Sequence, residues 1–214
     1  EKMNLVECKA GQFEGLIKGD CYQYFGIPYA KYTKRWEDST PIEREIDFKA
    51  TEKGYSAPQT RSNDQGQSGA SFFQDNSLSN QSEECLTLNI CSSDINGKNP
   101  VMIWIHGGAL VTGGSSSIMY DLQHLAKRGV VVVSINYRLG PFGFLKLDEI
   151  TNGQINSTGN EGLMDQRNAI KWVKENISSF GGDPNNITIF GESAGSWSCN
   201  LQIAAGHDNL FQKA

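Results

Sequence analysis

A serine between two glycines, at a predicted strand-to-helix turn, constrains the fold of this chain more than any other feature. The segment Phe190-Gly191-Glu192-Ser193-Ala194-Gly195 follows the β-branched run 186–189 and precedes residues that can form a helix. So sharp a reversal packs the neighbouring backbones closely, and side chains at Gly191 and Gly195 would collide. The turn projects the Ser193 hydroxyl at a helix N-terminus, where a nucleophile is accessible and its developing negative charge is favoured. Because the chain has 23 glycines, a turn with an incidental serine is the alternative.

A second glycine-rich motif, His106-Gly107-Gly108-Ala109, directly follows the continuous apolar run 101–105. A loop of small residues at the carboxyl end of a parallel strand can direct successive backbone N–H groups toward one point. A tetrahedral acyl intermediate needs such donors for its oxyanion, and the N–H of Ala194 would add one more. Alone, this motif could be only a turn. Together with the downstream serine motif, it indicates ester-type acyl transfer.

The order of predicted elements indicates an α/β fold. Short strands alternate with helices in the second half of the chain, which is typical of a mostly parallel sheet with flanking helices. The first thirty residues read as short extended segments that form a small antiparallel N-terminal edge. The predicted strands are 85–90 (half-buried), 101–105, 130–136 and 187–190, and the predicted helices are 121–128 and 160–180.

Composition excludes several classes of partner. The net charge of −5 gives no basic surface for nucleic acid. No apolar run approaches the ~20 residues that a membrane span requires. The five cysteines match no metal-binding spacing, and only three histidines accompany them. We therefore expect no nucleic-acid partner, no membrane span, no metal and no cofactor.

Several segments together resemble one protein family, the type-B carboxylesterases, which includes bacterial para-nitrobenzyl esterases and the cholinesterases. The similarity runs from about Gly15 to the last residue, and its motifs agree in order and spacing. It implies the N-terminal portion of an α/β-hydrolase fold and, as partner, a small-molecule carboxylic ester substrate. The segments that carry it are 104–109, 136–145, 161–166, 172–177, 180–184 and 190–195.

The resemblance also implies roles for individual residues. Ser193 would be the nucleophile that becomes acylated. The N–H groups of Gly108, Ala109 and Ala194 would form the oxyanion hole, and Gly107 would help to shape the turn.

Two further implications concern charged residues. Glu192 would face the site and orient water or polar groups, and its alternative is a surface carboxylate at a turn. Arg35 and Glu83 would form a structural ion pair, and the alternative is a surface pair that contributes little.

Departures from the family pattern bear on compartment and specificity. The family's first disulfide would join Cys85 to a position occupied here by Ala57, so we expect that bridge to be absent. Its absence favours a reducing compartment and a cytoplasmic location, while secretion stays open. Cholinesterases carry a tryptophan in the loop before Cys85. Here Phe72 and Phe73 are the only aromatic residues of that loop, so choline specificity is unsupported. Leu110 stands where a phenylalanine is usual, which would alter the acyl pocket.

The sequence lacks an assignable general base. Serine needs a base oriented by a carboxylate, and in this fold the chain order is serine, acid, histidine. His207 and Asp208 follow the serine too closely. His106 is expected to be structural, and His124 lies in a peripheral helix.

We therefore predict residues 1–214 to be the N-terminal part of one catalytic domain, whose C-terminal remainder could act as a second piece. The chain would belong to a serine carboxylesterase that works through an acyl-enzyme, and it would be inactive alone. The alternative from another class is a non-catalytic adhesion or scaffold protein on the same fold, as the neuroligins are, but those lack the serine.

Overall fold

The computed structural model describes residues 2–60, 75–206 and 209–214, which build an α/β structure around one large mixed sheet. Its strands are β1 (Lys2–Cys8), β2 (Gly11–Lys18), β3 (Cys21–Pro28), β4 (Ala30–Lys31), β5 (Thr40–Pro41), β6 (Ile46–Lys49), β7 (Thr87–Ser92), β8 (Asn99–Ile105), β9 (Val131–Ile135) and β10 (Gly182–Gly191). Its helices are α1 (Gln123–Ala126), α2 (Gly140–Phe144), α3 (Glu161–Asn176) and α4 (Ala194–Ala204), and Asn76–Leu78 and Ile177–Phe180 form 3₁₀ turns.

The sheet divides into an antiparallel and a parallel part. The strand order is β1-β2-β3-β7-β9-β8-β10, with β6 added beside β2, while β4 and β5 pair separately. Strands β9, β8 and β10 run parallel, whereas β7 is antiparallel to both β3 and β9. The antiparallel part therefore extends further than the small edge expected from the sequence. Strands β7 and β8 run in opposite directions. The link between them, residues 93–98, is too short for the crossover of a dozen or more residues that parallel strands require.

The central strands are buried as their apolar sequences predict, and β7 is more buried than predicted. All five residues of β9 and all six of β7 lie in the interior. The polar Asn89 is tolerated in β7 because its amide group is hydrogen-bonded: the N–H of Gly26 donates to Oδ1 at 2.9 Å, and Nδ2 donates to Ser134 Oγ at 3.2 Å. Buried polar groups are stable when such partners satisfy them.

The long predicted helix near residue 170 is confirmed, with defined ends. At its start, the Glu161 carboxylate accepts the N–H groups of Thr158 and Gly159 at 2.7 and 3.1 Å. After α3 the chain tightens into the 3₁₀ turn and ends at Gly181, whose φ of 84° suits glycine. The other predicted helix is shorter than expected, with only Gln123–Ala126 helical.

The last residues run beside β10. The N–H of Ile189 donates to the carbonyl of Lys213 at 3.0 Å, and Thr188 and Lys213 form a parallel bridge. This bridge lies beside β10 at the edge of the described sheet.

The cysteines form no disulfide. All five are free thiols, and Cys85 and Ala57 lie in the same hydrophobic core. Within residues 2–60, 75–206 and 209–214, none of the helices has the length and apolarity that a bilayer crossing requires.

Candidate active site

Ser193 occupies a strained turn between β10 and α4. Its φ of 55° and ψ of −121° are unusual for a residue with a side chain. A Cβ atom on Gly195 would lie 2.0 Å from the carbonyl oxygen of Ile105, and one on Gly191 would lie 2.5 Å from the carbonyl carbon of Gly195. Both contacts are with backbone, which cannot move aside. The steric requirement predicted for the two glycines is therefore present in the structure.

The second motif lies against this turn. A Cβ atom on Gly107 would be 2.7 Å from the carbonyl oxygen of Glu192, 3.0 Å from its Oε2 and 3.3 Å from the Cβ of Ser193. The structure thus brings together two motifs that are far apart in sequence. Ser193 itself is exposed, so its hydroxyl can be reached.

Hydrogen bonds fix the peptide planes of the loop after β8. The carbonyl of Gly107 accepts from His106 Nδ1 at 2.7 Å, and the carbonyl of Gly108 accepts from the N–H groups of Val111 and Thr112 at 3.0 and 2.9 Å. In a trans peptide the N–H points opposite to the C=O. The N–H groups of Gly108 and Ala109 therefore point away from the partners that hold these two carbonyls.

The N–H of Ala194 is a third candidate donor. Ala194 is the first residue of α4 and is fully buried. The first N–H groups of a helix have no acceptor within the helix, and the helix dipole favours negative charge near them.

Glu192 lies at the edge of the same region. Its carboxylate lies near Gly107, since a Cβ atom placed on that glycine would be 3.0 Å from Oε2, although the residue is exposed. Burial raises the pKa of the Tyr120 hydroxyl, and the charge of Glu192 adds to this effect. This placement favours a carboxylate that faces the site over one that is merely at the surface.

The described histidines are not placed as a base for Ser193. His106 is buried, its ring stacks on Tyr137 with centroids 4.5 Å apart, and burial lowers its pKa to about 4. It is structural, as predicted. The His124 side chain is 84% exposed and lies 3.5 Å from Asp121. His207 and Asp208, like Phe72 and Phe73, lie outside the described residues.

Two ion pairs support this framework. Arg35 and Glu83 form the expected pair, with two hydrogen bonds of 2.9 Å, and both side chains remain partly exposed to solvent. The buried pair of Arg138 and Asp165 was not predicted. Neither the charge nor the spacing of these two residues in the sequence indicates that they meet.

Potential metal ligands are not clustered in the described part of the chain. Among the side chains that the structure describes, no set of three or more His, Cys, Asp or Glu residues is arranged to hold a metal ion.

Comparisons with known proteins agree with this geometry. The chain is 42% identical to the para-nitrobenzyl esterase of Bacillus subtilis (strain 168), an alignment that covers 98% of this chain and 42% of that protein. It is 44% identical to the bile salt-activated lipase of Bos taurus, which covers 100% of this chain and 36% of that protein.

Solved structures give the same result. A thermophilic PNB esterase superposes with a TM-score of 0.85 at 40% identity, covering 100% of this chain and 44% of that chain. An esterase from anaerobic Clostridium hathewayi, described as able to hydrolyse aliphatic aromatic polyesters, superposes with a TM-score of 0.86 at 35% identity over 99% and 42%. These similarities confirm the α/β-hydrolase fold. The chain spans less than half the length of each of these relatives.

The family match covers nearly the whole chain and is not limited to the serine motif. The model of the Carboxylesterase family matches residues 2–214. On this match and on its relatives, the chain belongs to the carboxylesterase family.

Proposed function

We propose that this chain supplies the nucleophile and the oxyanion hole of a serine carboxylesterase. The observation that carries the proposal is the contact between the two motifs, in which Gly107 lies against Ser193 and Glu192. A nucleophile and a row of backbone donors on one small surface are the parts that acyl transfer requires.

The reaction would proceed in two halves. Ser193 Oγ attacks the ester carbonyl, its proton passes to a base, and the oxyanion of the tetrahedral intermediate accepts hydrogen bonds from Gly108, Ala109 and Ala194. Collapse of the intermediate expels the alcohol, which takes up the proton, and leaves an acyl ester on Ser193. Water then gives a proton to the base and attacks that ester, and a second tetrahedral intermediate forms. Its C–Oγ bond breaks, Ser193 Oγ takes the proton back from the base, and the acid is released. Loss of one oxyanion donor typically lowers kcat by about 10²–10³.

The base and its orienting acid would come from outside residues 1–214. We propose that these residues are the N-terminal part of a single α/β-hydrolase domain, and that the remainder supplies both groups. Two observations support this proposal: the described histidines have other contacts, and the relatives are longer than this chain. The substrate would be a neutral carboxylic ester, since the names of the relatives include an esterase and a lipase.

A fluorophosphonate probe tests the nucleophile in the full-length protein. We expect labelling at Ser193, its loss in Ser193→Ala and its retention in Ser196→Ala, a matched change three residues along the same turn and helix. An unlabelled Ser193 in folded full-length protein would contradict the esterase proposal and favour a non-catalytic scaffold.

The chain by itself should show negligible turnover of para-nitrophenyl acetate, because the proposed base lies outside it. Turnover by the isolated chain that disappears in Ser193→Ala would show that a base is present within these residues.

A further inference from the structure

The imidazole of His106 lies inside the protein beneath the candidate oxyanion hole, where the proposed reaction gives it no step. The residue is 1% exposed, and its ring stacks on Tyr137 at an interplanar angle of 17°. The Tyr137 hydroxyl donates to the backbone carbonyl of His106 at 2.7 Å. The ring therefore has a fixed position relative to the end of β8.

The hydrogen bond of this ring defines its tautomer. Nδ1 lies 2.7 Å from the carbonyl oxygen of Gly107, and a carbonyl can only accept, so Nδ1 carries the proton. Burial keeps the ring neutral by lowering its pKa. Nε2 is then an unprotonated acceptor, and within the described part of the chain it has no hydrogen-bond partner.

The accepting carbonyl belongs to the peptide whose N–H is the first candidate oxyanion donor. In the Gly107–Gly108 peptide the C=O and the N–H point in opposite directions. A donor that holds the oxygen of Gly107 therefore also sets the direction of the Gly108 N–H.

This peptide needs such a restraint because glycine lies on both sides of it. Glycine has no Cβ to restrict φ and ψ, so rotation of the Gly107–Gly108 peptide plane meets little steric resistance. A rotated peptide would present its carbonyl oxygen, in place of its N–H, to the developing negative charge. Gly113 also packs closely against this hydrogen bond, because a Cβ atom placed on it would lie 2.5 Å from His106 Nδ1 and 2.6 Å from Gly107 O.

We propose that His106 is a positioning residue that orients the Gly108 N–H toward the oxyanion by holding the carbonyl of Gly107 through Nδ1–H. The inference rests on the proposed esterase function, which it deepens. His106 would act through the Gly107–Gly108 peptide and not on the reacting atoms themselves.

Two substitutions separate the hydrogen bond from the packing of the ring. His106→Phe keeps an aromatic ring against Tyr137 but removes the donor, whereas His106→Asn removes the ring but places an amide N–H at the position of Nδ1. In the full-length esterase we expect His106→Phe to lower kcat by about 10- to 100-fold, up to the loss seen on removing one oxyanion donor. KM should change by less than about threefold, because the ground-state carbonyl depends less on this donor than the transition state does. His106→Asn should retain most of the kcat that His106→Phe loses.

Equal losses of kcat in the two variants would assign the effect to ring packing and overturn the proposal. A His106→Phe variant with unchanged kcat would overturn it as well.

A ¹⁵N spectrum of the histidine side chains in the wild-type chain gives a test that needs no turnover and no variant. We expect a proton on Nδ1 of His106 and none on Nε2, and the opposite tautomer would refute the inference. Because the spectrum does not depend on Ser193 chemistry, it distinguishes failure of this inference from failure of the proposed function.

Discussion

Replacing Asp165 by asparagine should destabilise the chain strongly, because it leaves a buried guanidinium without its counter-ion. The side chains of Arg138 and Asp165 are 1% and 0% exposed. The carboxylate accepts three hydrogen bonds from Arg138: from the backbone N–H at 3.1 Å, from Nε at 2.8 Å and from a terminal nitrogen at 2.8 Å. The remaining terminal nitrogen donates to the carbonyl of Glu37 at 2.8 Å, and the guanidinium lies 4.2 Å from the ring centroid of Tyr32.

The expected loss follows from that burial. Breaking a buried ion pair by removing one partner typically costs about 3–5 kcal/mol, since the other charge stays in a medium of low dielectric constant. A domain is stable by only about 5–15 kcal/mol in total, so Asp165→Asn should remove a large share. Replacing both partners, as Arg138→Met with Asp165→Leu, removes the charges together. It leaves the N–H of residue 138 and the carbonyl of Glu37 without these hydrogen-bond partners, which lowers the free energy of unfolding by about 1–3 kcal/mol for each group.

Urea unfolding followed by circular dichroism measures these differences. We expect the double variant to be more stable than the summed losses of Arg138→Met alone and Asp165→Leu alone predict, with a coupling of at least about 1 kcal/mol between the sites. A loss below about 1 kcal/mol in Asp165→Asn, or additive losses in the double variant, would show that the buried charge does not control stability here.

Three further predictions concern the serine turn, the buried histidine and the exposed ion pair. Gly195→Ala should cost about 3 kcal/mol or more in urea unfolding, because its Cβ would lie 2.0 Å from the carbonyl oxygen of Ile105, and an unchanged midpoint would contradict this. The pKa of His106 is about 4 in the folded chain, against an ordinary value of 6.5. The neutral ring therefore makes its full contribution to the free energy of unfolding above pH 6.5. That contribution should be lost as the pH falls toward 4, by about 3 kcal/mol in all, and His106→Phe should lack this part of the pH dependence of unfolding. Glu83→Gln should shift the unfolding midpoint only slightly, and less still at 1 M salt, because its partner Arg35 is exposed and solvent screens the pair.

Local steric and polarity patterns made much of the fold predictable. The burial of β9 follows from its unbroken apolar sequence, and the glycines around Ser193 follow from the space available at a sharp turn. Each of these inferences needs only neighbouring residues.

Features that depend on distant residues could not be predicted in the same way. The pairing of β7 with β3 and β9 joins strands that are far apart in sequence, and nothing inside β7 encodes these partners. Its full burial depends on partners for Asn89 that come from other strands. The ion pair of Arg138 and Asp165 likewise joins two elements whose contact only the assembled fold defines.

The candidate site itself combines both kinds of information. Strands β8 and β10 are parallel neighbours, and Ile105 pairs in register with Gly191. The loop that begins at His106 and the turn that carries Ser193 therefore leave the sheet at the same level and on the same edge. Each motif could be found from local sequence, but their contact is a consequence of strand register. The proposed nucleophile and oxyanion donors need only these two strands, and we expect the base to reach Ser193 from an element outside this pair.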